Sequence, residues 1–209
     1  MKIKTIVIDL GGVFIELDIT KFFKEVFSPF QLNKPKTPFM LKFFKQSDIY
    51  HKGEINNQEF YDLACDILNL DKDHVTKARF YKAFNSILTR IDKKMVELLK
   101  KLKQSGKYKL FCLSNINESH WDYLQSKDCD FLEYFDEILL SHEIQMLKPD
   151  RKVFEYVIEL ANCKPDEILF IDDGLKNVKS AEVLGIVGLN FDTVEQLKED
   201  LAKLGIKIS

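Results

Sequence analysis

Asp9, Ser114, Lys148 and the adjacent pair Asp172–Asp173 are the residues whose types could do chemistry together. Asp9 closes an apolar run, Ile3–Lys4–Thr5–Ile6–Val7–Ile8, and is followed at once by Leu10–Gly11–Gly12–Val13–Phe14. A β-branched run of that length reads as a buried strand. The two glycines put the carboxylate on a turn that a small ligand can approach closely. Ser114 and Asn115 end a second run, Lys109–Leu113, and Asp172–Asp173–Gly174 end a third, Ile168–Ile171. Lys148–Pro149–Asp150 lies just before a helical stretch. Taken singly, each has an ordinary reading: Asp9 or Ser114 as a cap for the next turn, Lys148 as a solvated loop residue. Two adjacent carboxylates, however, are more than a cap needs.

A parallel sheet brings its strand ends to one edge, where ligands bind in open α/β folds. Three carboxylates, a lysine and a hydroxyl meeting there repel unless a cation sits among the acids. An all-oxygen donor set with several carboxylates suits Mg²⁺. The lysine and the hydroxyl would then hold an anionic group, and a phosphoryl is the natural guest.

The elements that must position these groups follow from periodicity. After the first strand, about 75 residues have helical spacing, at Ile19–Phe27, Phe39–Ser47, Asn57–Leu68 and His74–Leu88, with Pro29, Pro35 and Pro38 separating the first from the second. From about Ile91 strands and helices alternate: helix Met95–Leu102, strand Lys109–Leu113, helix Trp121–Leu124, strand Glu137–Leu140 and helix Val153–Ala161. Strand Ile168–Ile171, helix Val178–Leu184, strand Val187–Asn190 and helix Val194–Leu204 complete the series. Alternation of this kind predicts an α/β fold, a three-layer Rossmann-like core with a parallel sheet. The inserted helical block would sit over the carboxyl edge of the sheet as an all-helical cap.

Composition narrows the function classes. The 209 residues suffice for one domain plus a modest insertion, and 45% hydrophobic content supports a real core. The net charge of −2, with both signs interspersed, points away from nucleic acid and anionic membranes. No apolar stretch approaches the roughly 20 residues of a membrane span. Lys2 and Lys4 before an apolar run superficially resemble a signal peptide, but Asp9 interrupts too early, so the expectation is a cytoplasmic protein. Cys65, Cys112, Cys129 and Cys163 show no metal-type or redox-type spacing, and the four histidines are scattered, which argues against zinc.

In order and spacing the chain resembles the haloacid dehalogenase (HAD) superfamily, in which phosphatases predominate. The segments Ile6–Val13, Leu110–Asn115, Lys148–Phe154 and Ile168–Gly185 match its four motifs in turn. The last is specific, reading Phe170–Ile171–Asp172–Asp173, then Asn177, Ala181 and Gly185. The resemblance implies a core at about 1–15 and 87–209 with a helical (C1-type) cap at 16–86. It implies that Asp9 is a nucleophile forming an aspartyl-phosphate. Ser114 and Lys148 would complete the catalytic set and, with Asn115, bind the phosphoryl group. Asp9, the Gly11 carbonyl, Asp173 and Asp172, the last directly or through a water, would hold Mg²⁺. The implied substrate is a small soluble phosphate, such as a sugar phosphate, and the implied assembly a monomer or homodimer.

One position departs from the pattern. Most phosphatases of the superfamily carry an acid/base aspartate two residues after the nucleophile; here it is Gly11. Such help is typically worth about 10²–10⁴-fold. The run Asp9–Leu10–Gly11–Gly12–Val13, followed by Glu16–Leu17–Asp18, is similar to a bacterial branch containing an α-glucose-1-phosphate phosphatase, which makes Gly11 compatible with activity. Glu16 or Asp18 could supply a carboxylate, although Asp18 also suits the cap of a helix. The alternatives are a non-catalytic binding protein on the same fold, or a dehalogenase. Against the latter, Arg79, Arg90 and Arg151 fall away from the position a dehalogenase needs. Cap aromatics, among them Phe22, Phe43, Phe60 and Phe84, have core spacing, and His51 or Lys52 in a loop at Tyr50–Glu54 could reach the substrate.

Overall fold

The computed structural model describes residues 2–27, 37–127 and 129–207. In chain order the elements are β1 (Thr5–Ile8), β2 (Ile15–Leu17), α1 (Ile19–Phe27), α2 (Thr37–Gln46), α3 (Asp48–His51), α4 (Asn57–Leu68), α5 (Lys77–Asn85) and β3 (Leu88–Ile91). They continue with α6 (Lys93–Gln104), β4 (Lys109–Ser114), α7 (Glu118–Gln125), β5 (Glu137–Leu140), α8 (Ser141–Ile144) and α9 (Arg151–Ala161). The last four are β6 (Ile168–Asp172), α10 (Leu175–Glu182), β7 (Val187–Asn190) and α11 (Val194–Lys203).

Five strands form one parallel sheet in the order β5-β4-β1-β6-β7. The chain builds outward from β1 on one side, then returns to build outward on the other. Strand order therefore reverses at β1, and the crevice at the carboxyl end of such a point is where ligands bind. Side chains alternate across the sheet. Ile6, Ile8, Leu110 and Cys112 pack with Met95, Leu99 and Leu197 of α6 and α11. Val7, Phe111 and Phe170 pack with Val153, Phe154 and Ala181 of α9 and α10. Burial on both faces explains why these strands read as near-continuous apolar runs. Among the described residues, no helix is long and apolar enough to cross a membrane.

The segment between β2 and β3 has a separate core. Phe22, Phe43, Phe60, Phe80 and Phe84 are buried against one another, with ring centroids 5.4 Å apart for Phe22–Phe43 and 5.2 Å for Phe60–Phe84. These aromatics are packing residues, as their helical spacing indicates. Pro38 falls in the first turn of α2, where its missing N–H costs nothing; Pro29 and Pro35 lie outside the described residues.

Two expectations need correction. The helical spacing over His74–Leu88 does not carry one helix: α5 stops at Asn85, and Leu88 opens β3. The Ser86 hydroxyl donates to Ala83 O at 2.7 Å at the helix end. Beyond it, β3 finds an antiparallel partner in β2, with Ile15 opposite Ile91 and Leu17 opposite Leu88. That partner is some seventy residues upstream, so local periodicity had no sight of it. The Tyr50–Glu54 stretch is likewise not all loop, since Tyr50 and His51 lie on α3.

A buried polar hub joins the helical segment to the sheet domain. Asn117, which caps α7 by accepting from His120 N–H at 3.0 Å, points its amide nitrogen at His51 Nε2 (3.3 Å) and His120 Nδ1 (3.2 Å). Two acceptors facing one NH₂ group define the tautomers. His120 Nε2–H then donates to Phe84 O at 3.1 Å, and His51 Nδ1–H donates to Ser47 O at 2.9 Å. The His120 ring also stacks on Phe84, 4.3 Å between centroids. Both imidazoles are therefore neutral. Burial, reinforced by the nearby His51, pushes the His120 pKa down to about 3.

An unfolded imidazole titrates near pH 6.5. Between that value and the folded one the unfolded chain binds the extra proton, so this group's contribution falls as pH drops below about 6.5. His120→Phe, which keeps the stacking and removes the titration, is expected to make the stability–pH slope shallower. Urea denaturation between about pH 5 and about pH 6.5 should show a difference of about 1.4 kcal/mol per pH unit.

Candidate active site

The Asp9 N–H donates to Ile171 O at 2.9 Å, which extends the ladder one residue past β1. That bond leaves the Asp9 side chain at the sheet edge. Ser114 ends β4 on one side of it and Asp172 ends β6 on the other. Lys148 arrives from the loop before α9. Its ammonium sits 2.8 Å from Asp9 Oδ1 and 2.7 Å from Asp172 Oδ2, with its side chain only 1% exposed. Two hydrogen bonds hold the Lys148 backbone there: its N–H donates to Asn115 Oδ1 at 2.9 Å, and its carbonyl accepts from Asn115 Nδ2 at 2.8 Å. The Asn115 amide, expected to touch substrate, thus uses one bond at each end to hold Lys148.

The electrostatics follow from burial. Desolvation raises the Asp9 carboxyl to about 7; Lys148 opposes the rise and Asp172 adds to it. Burial alone would lower the Lys148 pKa, but Asp9 and Asp172 outweigh it and hold the ammonium above its ordinary range. Asp173 is also raised, by desolvation and by Asp172. Asp172 is anchored most firmly, its Oδ1 accepting from Gly174 N–H at 2.8 Å and Asn177 Nδ2 at 2.9 Å.

Asp9, Asp172 and Asp173 each offer an oxygen, and these atoms lie within 4.8 Å of one another. An all-carboxylate set of this kind fits a hard divalent cation. The turn after β1 is shaped to admit it. Gly12 has φ +74°, and a Cβ there would meet Asp173 Oδ2 at 2.1 Å, so only glycine lets this carboxylate approach the loop. Asn190, at the end of β7, donates from Nδ2 to Asp173 O at 2.8 Å and Asp172 O at 3.1 Å, fixing the backbone of the acidic pair. Asn190 belongs to no motif in the sequence; its place at the end of a strand on the same edge is the one signal that points to it.

A chamber at this edge is lined by Gly11, Ser114 and Asn115 together with residues of the helical segment such as Phe44, Ser47, His51 and Phe84. A Cβ on Gly11 would meet Leu17 Cδ1 at 3.2 Å. Leu17, an exposed apolar side chain, thus lies against position 11 and would have to give by a few tenths of an ångström to admit a side chain there. Neither candidate replacement carboxylate faces the chamber. Glu16 pairs with Arg90 at 3.3 Å in an outer cleft that also holds Gly12 and Asp173. Asp18 caps α1, accepting from Thr20 N–H at 3.0 Å and from the Thr20 hydroxyl at 2.5 Å. His51 lines the chamber, with both ring nitrogens engaged, whereas Lys52 is not among the lining residues. Arg151 pairs with Glu155 on the surface and Arg79 reaches His74 O, so among the described residues no arginine lines the chamber.

A family profile of haloacid dehalogenase-like hydrolases matches residues 3–185. The chain belongs to that family. It is similar to the D-ribitol-5-phosphate phosphatase of Bacteroides thetaiotaomicron, 25% identical over 191 residues, covering 88% of this chain and 89% of that protein. It is also 29% identical over 157 residues to drimenol cyclase drtB of Aspergillus calidoustus; that match takes in 74% of this chain and 29% of that protein's length. Among solved structures, a HAD family enzyme from Bacteroides thetaiotaomicron superposes with a TM-score of 0.79 at 31% identity, covering 96% of this chain and 99% of that one. The same enzyme has been solved in complex with magnesium and inorganic phosphate. In this chain the cluster of Asp9, Asp172 and Asp173 is a donor set that suits such a cation.

Because Asp9 takes up a proton near pH 7 in the metal-free site, a cation must displace that proton below neutrality. Mg²⁺ affinity is expected to rise up to about tenfold per pH unit below about pH 7 and to flatten above it. Calorimetry in buffers of different ionisation enthalpy would read the proton released.

Proposed function

We propose that the protein is a Mg²⁺-dependent phosphomonoesterase that works through an aspartyl-phosphate on Asp9. The observation carrying this reading is the Lys148 ammonium held at hydrogen-bond distance from both Asp9 and Asp172 at the carboxyl edge of the sheet. Mg²⁺, held by Asp9, Asp173 and the Gly11 carbonyl with Asp172 behind them, would supply charge neutralisation for the incoming phosphoryl group.

An Asp9 carboxylate oxygen attacks phosphorus, and the bond from phosphorus to the ester oxygen breaks in line. Lys148 pairs with a phosphoryl oxygen as well as with Asp9, and the Ser114 hydroxyl donates to another. Asn115 acts through Lys148, whose backbone it holds. A water then attacks phosphorus, the bond to Asp9 breaks, and one of the water's protons passes to a phosphate oxygen, giving dihydrogen phosphate, which ionises to hydrogen phosphate by losing a proton to solvent. Positioning and charge supply most of the acceleration in such transfers. With glycine at position 11, no side chain there protonates the leaving oxygen.

Two outcomes test this reading. Asp9→Asn is expected to lower Mg²⁺-dependent phosphate release by at least about 10³-fold, as loss of a nucleophile does, while leaving the fold intact by circular dichroism. Equal release by the native protein and the variant would defeat the proposal. Gly11→Asp combined with Leu17→Ala, which clears the space a side chain at position 11 needs, is expected to raise kcat on a simple alkyl phosphate about 10–100-fold. On a phenol ester, steady-state kinetics should show little change.

A further inference from the structure

We infer that the preferred substrate is the phosphate monoester of a small aromatic alcohol, whose ring fills the chamber under the cap. This rests on the phosphomonoesterase reading and specifies the leaving group. The chamber has a volume of about 190 Å³ and adjoins Gly11 and Ser114, which places it beside the phosphoryl end of the site as the space for the leaving group. Its walls are apolar, with Ile15, Leu17, Phe44, Phe84, Ile116 and Leu124 contributing from both the helical segment and the sheet domain. An apolar cavity of roughly 150 Å³ takes a benzene ring, so this one admits a ring with a small substituent.

The polar side chains in those walls are already engaged within the protein. The Ser47 hydroxyl donates to Phe44 O at 2.7 Å. His51 and His120 use both ring nitrogens, on Ser47 O, Phe84 O and Asn117. The Asn115 amide is taken at both ends by the Lys148 backbone, and Ser114 stands at the phosphoryl end. A sugar phosphate, the substrate the resemblance implies, would bury several hydroxyls against walls that offer few free partners. Each unpaired hydroxyl costs roughly tenfold or more in kcat/KM. An aromatic ring loses nothing on entry and gains by leaving water.

Position 11 points the same way. Leu17 lies beside position 11, its Cδ1 3.2 Å from the place a Cβ on residue 11 would take, and glycine there offers no acid to the leaving oxygen. An alcohol needs that proton, whereas a phenol, with a pKa near 10, departs as phenolate. The step balances without an enzyme acid: the Asp9–phosphorus bond forms, the phosphorus–phenol oxygen bond breaks, and the phenolate takes its proton from water after release. An apolar wall at the leaving oxygen and the absence of a donor there are thus two aspects of one specificity.

The full-length protein with Mg²⁺ would be assayed on acetyl phosphate, p-tolyl phosphate and D-ribitol 5-phosphate. Acetyl phosphate is too small to need the chamber and reports the chemistry alone. The expected result is turnover of acetyl phosphate, with kcat/KM for p-tolyl phosphate at least about 100-fold above that for ribitol 5-phosphate. Leu17→Asn should lower the p-tolyl to acetyl ratio by about tenfold. Acetyl phosphate turnover with ribitol 5-phosphate equal to or better than p-tolyl phosphate would overturn the inference and leave the phosphomonoesterase reading standing. No turnover of acetyl phosphate would instead sink that reading and the substrate assignment with it. Calorimetry with p-tolylphosphonate against methylphosphonate checks the chamber itself: tighter binding with a more negative heat-capacity change supports it, and equal binding overturns it.

Discussion

The Lys148 ammonium, buried between Asp9 and Asp172, is the interaction on which the site depends. Removing ions from water costs several kcal/mol each, and close, well-directed partners must recover it. The surroundings are organised accordingly. Asn115 clamps the Lys148 backbone, Gly174 and Asn177 hold one oxygen of Asp172, and the Leu10 N–H donates to Asp9 Oδ1 at 2.7 Å. One ammonium still faces three carboxylates when Asp173 is included. Burial raises the Asp9 carboxyl and Asp172 adds to the rise, and a divalent cation would oppose both.

This arrangement explains why the site needs the centre of the sheet. β1, the central strand, has neighbours on both sides that end in polar groups, Ser114 from β4 and Asp172 from β6. The register places Ile8 opposite both Cys112 and Ile171, so Asp9 stands level with Asp172 and one residue short of Ser114. Buried strands supply the rigidity that a charged triad requires, because their side chains are locked between two helical layers.

The helical segment contributes a different kind of chemistry. Its phenylalanine core makes it a packed unit, and Phe84 belongs both to that core and to the stack on His120. The polar groups that cross to the sheet domain, Asn117 with His51 and His120, satisfy one another rather than the chamber. The roof over the charged edge is consequently apolar. Charge is concentrated at the phosphoryl end and excluded from the other.

Much of this was legible in the residues. The strands announced themselves as β-branched runs, and a parallel α/β alternation obliges their ends to meet, so Asp9, Ser114, Lys148, Asp172 and Asp173 could be gathered from position alone. Gly11 was legible as a departure, because a missing carboxylate can be seen in one dimension. What fills its place could not be. Leu17 comes up to position 11 because the turn folds back on itself, with Gly12 N–H donating to Ile15 O at 2.8 Å, while the pairing of β2 with β3 cut short the helix expected through Leu88. The role of Asn115 was equally hidden, since whether an amide faces a ligand or a neighbouring backbone is decided by where the loop before α9 comes to rest. Sequence determined which groups share an edge, because strand direction is a local property. Tertiary structure decided what each group touches and how polar the chamber is, because contacts between distant segments leave no periodic trace.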